Sequence, residues 1–157
     1  MTKNTGNIAF RKLDVDAFTE DRYNEEEEPE TPSASGPDDQ EIMSLLRANR
    51  ATDALKTALR SAPIKSKSQT TKDRAAETMA RVLTSFKAAD VERMVADLSA
   101  PERDVLMKYV YKCFQLAGSP DSELAPACGT LLVWHDKLFA LGGHGSIVRV
   151  MTDRRRL

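Results

Sequence analysis

The sequence predicts an all-α protein, a superhelix-like array of about six or seven short helices preceded by a disordered acidic N-terminal arm. Three observations carry that prediction. From residue 38 onward, apolar residues recur at three- and four-residue spacings over most of the chain. Helix-starting and helix-stopping residues, such as Ser99 with Glu102 and Gly118 with Pro120, punctuate those runs. Ahead of them lies a stretch with almost no apolar side chain. The expected boundaries are an arm and linker over residues 1–37 and an all-helical domain over 38–157.

The arm divides in two. Residues 25–37 hold Glu25 to Glu28, Glu30 and three prolines. Like charges repel there and no apolar surface offsets the entropy of ordering, so a solvated linker is expected. Upstream, Ile8, Phe10, Leu13, Val15, Phe18 and Tyr23 return apolar groups to a charged background. Phe10, Arg11, Lys12, Leu13, Asp14, Val15 and Asp16 read as an extended segment whose side chains alternate around the backbone, suited to binding a partner. The alternative is that this segment folds back on the basic body of its own chain.

In the body, Ile42, Leu45 and Leu46, then Ala54, Leu55, Ala58 and Leu59, predict a short helical hairpin closed by Pro63. A brief basic loop, Ile64 to Ser68, leads to a third helix with Met79, Val82, Leu83 and Phe86 inward. Asp90 is the expected cap of a fourth, striped with Val91, Met94, Val95 and Leu98. Ser99-Ala100-Pro101-Glu102 is a capping-box pattern that opens a long helix, with Leu106, Tyr109, Val110, Cys113, Phe114 and Ala117 inward and Gly118-Ser119-Pro120 as its stop. Leu131, Leu132, Trp134, His135, Leu138, Phe139 and Leu141 mark the last substantial helix, ended by Gly142-Gly143. The strip Ile147 to Met151 is either a short helix or an extended segment.

Charge is distributed unevenly. Residues 1–40 carry four Lys/Arg against eleven Asp/Glu; the rest carries 19 against 13, and the two parts sum to the net charge of -1. An acidic arm therefore leads into a basic body. No apolar run is long enough for a membrane span, the start is too polar for a signal peptide, and two cysteines cannot build a disulfide framework. An intracellular, reduced setting is expected, with no membrane partner.

Catalytic readings find little support. His135 sits on an apolar stripe and His144 in a glycine-rich turn, with no ligand or base partner at usable spacing. That turn follows a helix and lacks the lysine of a phosphate-binding loop. Cys113 belongs to a core stripe, and the basic pairs Lys65/Lys67, Lys72/Arg74 and Lys108/Lys112, with Arg154-Arg155-Arg156, read as solvated faces or interface charges, not a nucleic-acid site. No enzyme, metal or cofactor is expected.

Several ordered blocks resemble a known family. Lys3-Asn4-Thr5, Phe10 to Asp16, Lys72-Asp73-Arg74-Ala75, Val82 to Lys87, Leu106 to Lys112, Trp134-His135-Asp136-Lys137 and Gly142 to Val150 together look like subunit 5, the smallest, of the actin-related protein 2/3 complex. The resemblance implies a non-catalytic helical core packed on subunit 4 near subunit 1. It implies an arm, here Phe10, Arg11, Lys12, Leu13, Asp14, Val15 and Asp16, that tethers the actin-related protein 2 subunit. It further implies support of actin filament nucleation and branching, contact with actin filaments directly or through other subunits, and a place in the cytoplasm and cytoskeleton, with the nucleus open. The segments 25–37 and 115–130 differ most from the family pattern, so no contact is carried over there. The competing reading is a free-standing helical adaptor that binds peptides in a groove.

Overall fold

The computed structural model describes residues 36–118, 122–153 and 157; the Phe10–Asp16 segment, most of the linker and Arg154–Arg156 lie outside the described residues. Six α-helices follow in order: α1 Asp39–Arg47, α2 Ala51–Arg60, α3 Gln69–Thr84, α4 Ala88–Asp97, α5 Ala100–Ala117 and α6 Cys128–Thr152, with a 3-10 turn at Ala125–Ala127 leading into α6. There is no strand among the described residues. The all-helical class is the one the periodicity predicts.

Local chemistry sets the boundaries. Asp38 caps α1 by accepting the Gln40 N–H at 2.9 Å, and Ser68 caps α3 by accepting the Thr71 N–H at 3.3 Å. Asn49 takes a left-handed φ of 57° between α1 and α2, a conformation its short polar side chain tolerates. At the start of α5 the Glu102 carboxylate accepts the Ser99 N–H at 2.9 Å and the Ser99 hydroxyl at 2.6 Å, so the capping motif forms where the sequence places it.

Helices α3, α5 and α6 form the centre. Helix α5 packs along α6 and against α3 and α2; α3 also meets α1 and α2; α4 packs on α6. Ile42, Leu55, Met79, Leu83, Val91, Leu106, Val110, Leu131, Trp134 and Leu138 are fully or almost fully buried. Trp134 ties α6 to the end of α3 by donating its indole N–H to the Leu83 carbonyl at 3.2 Å, with Phe86 edge-on at 5.3 Å.

Several expectations need correction. Helix α4 begins two residues before Asp90, with Lys87 at the cap position, so Asp90 lies in the first turn and favours the helix through its charge alone. Phe86 lies beyond the end of α3 and is half-buried. The glycine pair, by contrast, acts as expected: Gly143 takes φ 58° and ψ -163°, which breaks α6 there, and a second helical segment carries Ile147–Met151 to Thr152, the helical one of the two readings of that strip. Of the apolar residues that mark the last helix, Leu132 and Leu141 are 59% and 53% exposed. Lys112, read as a surface charge, is buried in α5, as is Met107.

Candidate interaction surface

The binding segment expected at Phe10, Arg11, Lys12, Leu13, Asp14, Val15 and Asp16 lies outside the described residues, so the structure contributes the body from which it emerges. The described residues begin at Gly36, with φ of 83°, near Thr71 of α3 and Pro63 of the loop before it. A Cβ at this position would lie 3.4 Å from Thr71 and 3.8 Å from Pro63. Asp39 then fastens α1 to α3. It accepts the Thr78 hydroxyl at 2.5 Å and the Arg74 guanidinium at 2.6 Å. Burial pulls the Asp39 carboxyl upward, but Thr78, Arg74 and Arg81 together hold it below its ordinary value.

A charged seam continues between α3, α5 and the end of α6. The Lys112 ammonium, 3% exposed, meets Asp73 at 2.8 Å and the Gln115 side-chain oxygen at 3.3 Å. Lys108 pairs with Asp153 at 2.5 Å, joining α5 to the C-terminal end of α6. Lys72 lies close enough that burial, then the Lys112 and Lys108 charges, lower its pKa. On another face, Arg149 grips Asp104 through two bonds of 2.8 Å, the fork geometry that fixes orientation as well as distance.

Apolar surface is concentrated on α6. The large hydrophobic side chains exposed among the described residues, Leu132, Leu141, Val148 and Met151, all belong to it. Leu141 also rims a cavity of about 180 Å³ beside the kink, with Leu138, Ser146 and Arg149. A larger cleft of about 550 Å³ opens between α3 and the turn before α6, lined by Ala80, Arg81, Leu116, Leu124 and Pro126 among others. Surfaces of this kind suit protein contacts.

The groups tested for catalysis are occupied with packing. The Cys113 thiol is fully buried, donates to the Ala76 carbonyl at 3.3 Å, and is pushed up to about 12 by burial, so the nucleophilic thiolate is suppressed. His135 lies between aromatic rings, edge-on to Tyr111 at 5.6 Å and stacked with Phe139 at 6.4 Å; the Tyr111 hydroxyl is 3.4 Å from its Nε2. His144 meets the other side of Phe139 at 5.1 Å. Sequence reasoning found no ligand or base partner for either histidine; in the fold His135 is half-buried among aromatic rings and His144 is exposed. It missed the Lys112–Asp73 pair, because its partners come from different helices and no local spacing announces them.

A helical body with a seam of ion pairs and apolar surface gathered on one helix has the character of a protein–protein interaction module. Residues 9–157 match the family described as ARP2/3 complex 16 kDa subunit (p16-Arc). The chain is 40% identical to actin-related protein 2/3 complex subunit 5-B of Xenopus laevis over 99% of both chains. It is 39% identical to the human subunit 5-like protein over 99% of both, and 36% identical to the probable subunit 5 of Caenorhabditis elegans over 96% of this chain and 99% of that one. The chain belongs to the 16 kDa, subunit 5 family of the ARP2/3 complex.

Proposed function

We propose that this chain is a non-catalytic structural subunit of the ARP2/3 complex that supports actin filament nucleation and branching. Its helical body packs on subunit 4 near subunit 1, while Phe10–Asp16 tethers the actin-related protein 2 subunit. The observation that carries this reading is the family match over residues 9–157, which includes every residue of the expected arm motif. Near-complete coverage of relatives named as subunit 5 supports the assembly role, and with it a place in the cytoplasm and actin cytoskeleton.

Physics supports the tether. About 20 residues between the motif and Gly36 give a root-mean-square span of roughly 25 Å for a flexible chain, and the run of glutamates extends it further. A short peptide held at that distance acts at millimolar effective concentration, so modest affinity suffices to hold a subunit. Phe10, Leu13 and Val15 supply apolar anchors, and Arg11, Lys12, Asp14 and Asp16 set register by charge.

The test is deletion of residues 1–24 in the reconstituted complex. The truncated chain is expected to fold and assemble while retention of actin-related protein 2 falls and branching slows. Retention and branching equal to those of the full-length complex would refute the tether.

A further inference from the structure

The end of α6 is held differently from the rest of it. Upstream of the break at Gly143, Leu131, Trp134 and Leu138 are buried in the core. Of residues 144–152 only Ser146 is buried; Ile147 and Val150 are half-buried at the edge of the core, and Val148 and Met151 are exposed. Hydrophobic burial scales with the apolar area removed from water, so it holds this segment far less firmly than the part before it. Ion pairs add hold at two points along α5. Arg149 forks onto Asp104 through two bonds of 2.8 Å, and Asp153, directly after the segment, pairs with Lys108 one turn further along α5. The Arg149 and Asp104 side chains both reach solvent, where salt screens their attraction.

The joint is built of two glycines with different jobs. Gly143 turns the chain with φ 58° and ψ -163°, and among the described residues nothing lies within 4 Å of where its Cβ would stand, so the backbone can rotate there without a collision. Gly142 lets the segment seat: a Cβ there would lie 2.9 Å from the Ser146 Cβ and 3.1 Å from its hydroxyl oxygen. With that space open, Ser146 tucks in and donates to the Gly143 carbonyl at 2.8 Å. A turning joint, a seated serine and two polar clasps over a small apolar contact are the parts of a strap that lifts as a unit.

We propose that residues 144–152 form such a strap, hinged at Gly143 and clasped to α5 by the Arg149–Asp104 and Lys108–Asp153 pairs, and that it opens while the rest of the body stays folded. Lifting it uncovers Ile147 and Val150. A charged group that competes for either clasp, on another protein or in solution, favours the open form. The strap thereby couples charge along α5 to the apolar surface at the end of α6. It is a property of the body alone and holds or fails whatever the arm does.

Native-state amide hydrogen exchange of the full-length chain, read residue by residue by NMR, measures the opening. The amides of residues 147–152 are expected to share one opening, with protection at least about tenfold below that of residues 131–139 and a step at Gly143. Raising salt from about 0.01 M to about 1 M, where the Debye length falls from about 30 Å to about 3 Å, should speed their exchange at least about threefold and leave residues 131–139 unchanged. Asp104→Asn, which removes one clasp, and Gly142→Ala, which unseats Ser146, should each speed it at least about fivefold by independent routes. Asp97→Asn, which breaks the exposed 2.9 Å pair with Lys56 elsewhere on the body, should leave it alone. Protection that fades gradually back from Thr152 with no step would mean a fraying helix end. Protection equal on the two sides of Gly143, or blind to salt and to both variants, would mean a fixed segment. Either result overturns the proposal.

Discussion

Replacing Asp73 by Asn should cost more than replacing its partner Lys112 by Met, although both changes break the same 2.8 Å contact. The two ends differ in solvent access: the Lys112 side chain is 3% exposed and that of Asp73 is 33% exposed. In Asp73→Asn the ammonium remains buried, near the like charges of Lys72 and Lys108, with neutral oxygens such as that of Gln115 at 3.3 Å in place of a carboxylate. Stranding one member of a buried pair costs about 3–5 kcal/mol, and the partial exposure of Asp73 with the help of Gln115 lowers that to about 2 kcal/mol. Lys112→Met keeps the volume of the stem and leaves Asp73 a carboxylate that water reaches, so stability should stay within about 1 kcal/mol of the parent. The double variant should match Lys112→Met alone, giving a coupling energy of about 2 kcal/mol. Urea unfolding of the full chain followed by helical circular dichroism, with unchanged denaturant slope, reads all three. Equal costs for the two single changes, or simple additivity in the double, would refute the reasoning.

Gly143→Ala should destabilise the chain by about 1–3 kcal/mol through backbone strain alone, because nothing lies within 4 Å of the added Cβ but φ of 58° with ψ of -163° is nearly closed to other residues. Thermal unfolding checks it, with Gly129→Ala, which also meets open space at ordinary φ, expected to be neutral or slightly stabilising. Tyr109→Phe should leave stability unchanged or raise it by up to about 1 kcal/mol, since its buried hydroxyl has no hydrogen-bond partner among the described residues; a clear loss in urea midpoint would contradict this. Asp39 has a folded pKa below its ordinary 3.8, so its contribution is fully present above that value and disappears as pH falls through the lower folded one. Stability measured from about pH 5 down to about pH 2.5 should therefore fall less steeply in Asp39→Asn than in the parent chain.

Much of the fold was legible because its helices are amphipathic and well punctuated. The spacing of Val91, Met94 and Val95 and the Ser99–Glu102 pattern needed no tertiary knowledge, and the structure places both as expected. What escaped depends on three dimensions. Helix α6 is apolar on several sides, so periodicity could not separate buried Leu131 and Leu138 from exposed Leu132 and Leu141. The pair Gly142-Gly143 stops a helix as its sequence suggests; what stayed open was the strip beyond it, where the Ser146 hydroxyl donates to the Gly143 carbonyl at 2.8 Å and a helix restarts at once. Lys112 looked like a surface charge because the carboxylate that permits its burial sits in another helix. The arm motif at Phe10–Asp16 was legible only as a mixed apolar and charged segment that gains order from a partner, and its role came from resemblance.

Affinity purification of the tagged full-length chain from cell extract, with quantitative mass spectrometry of what accompanies it, tests the central claim most directly. The structural-subunit account predicts recovery of actin-related protein 2 and the other ARP2/3 complex subunits in equal amounts with the chain, in a particle that persists through size exclusion. Recovery of the chain as a monomer, or with a changing set of peptides and no actin-related subunits, would contradict it.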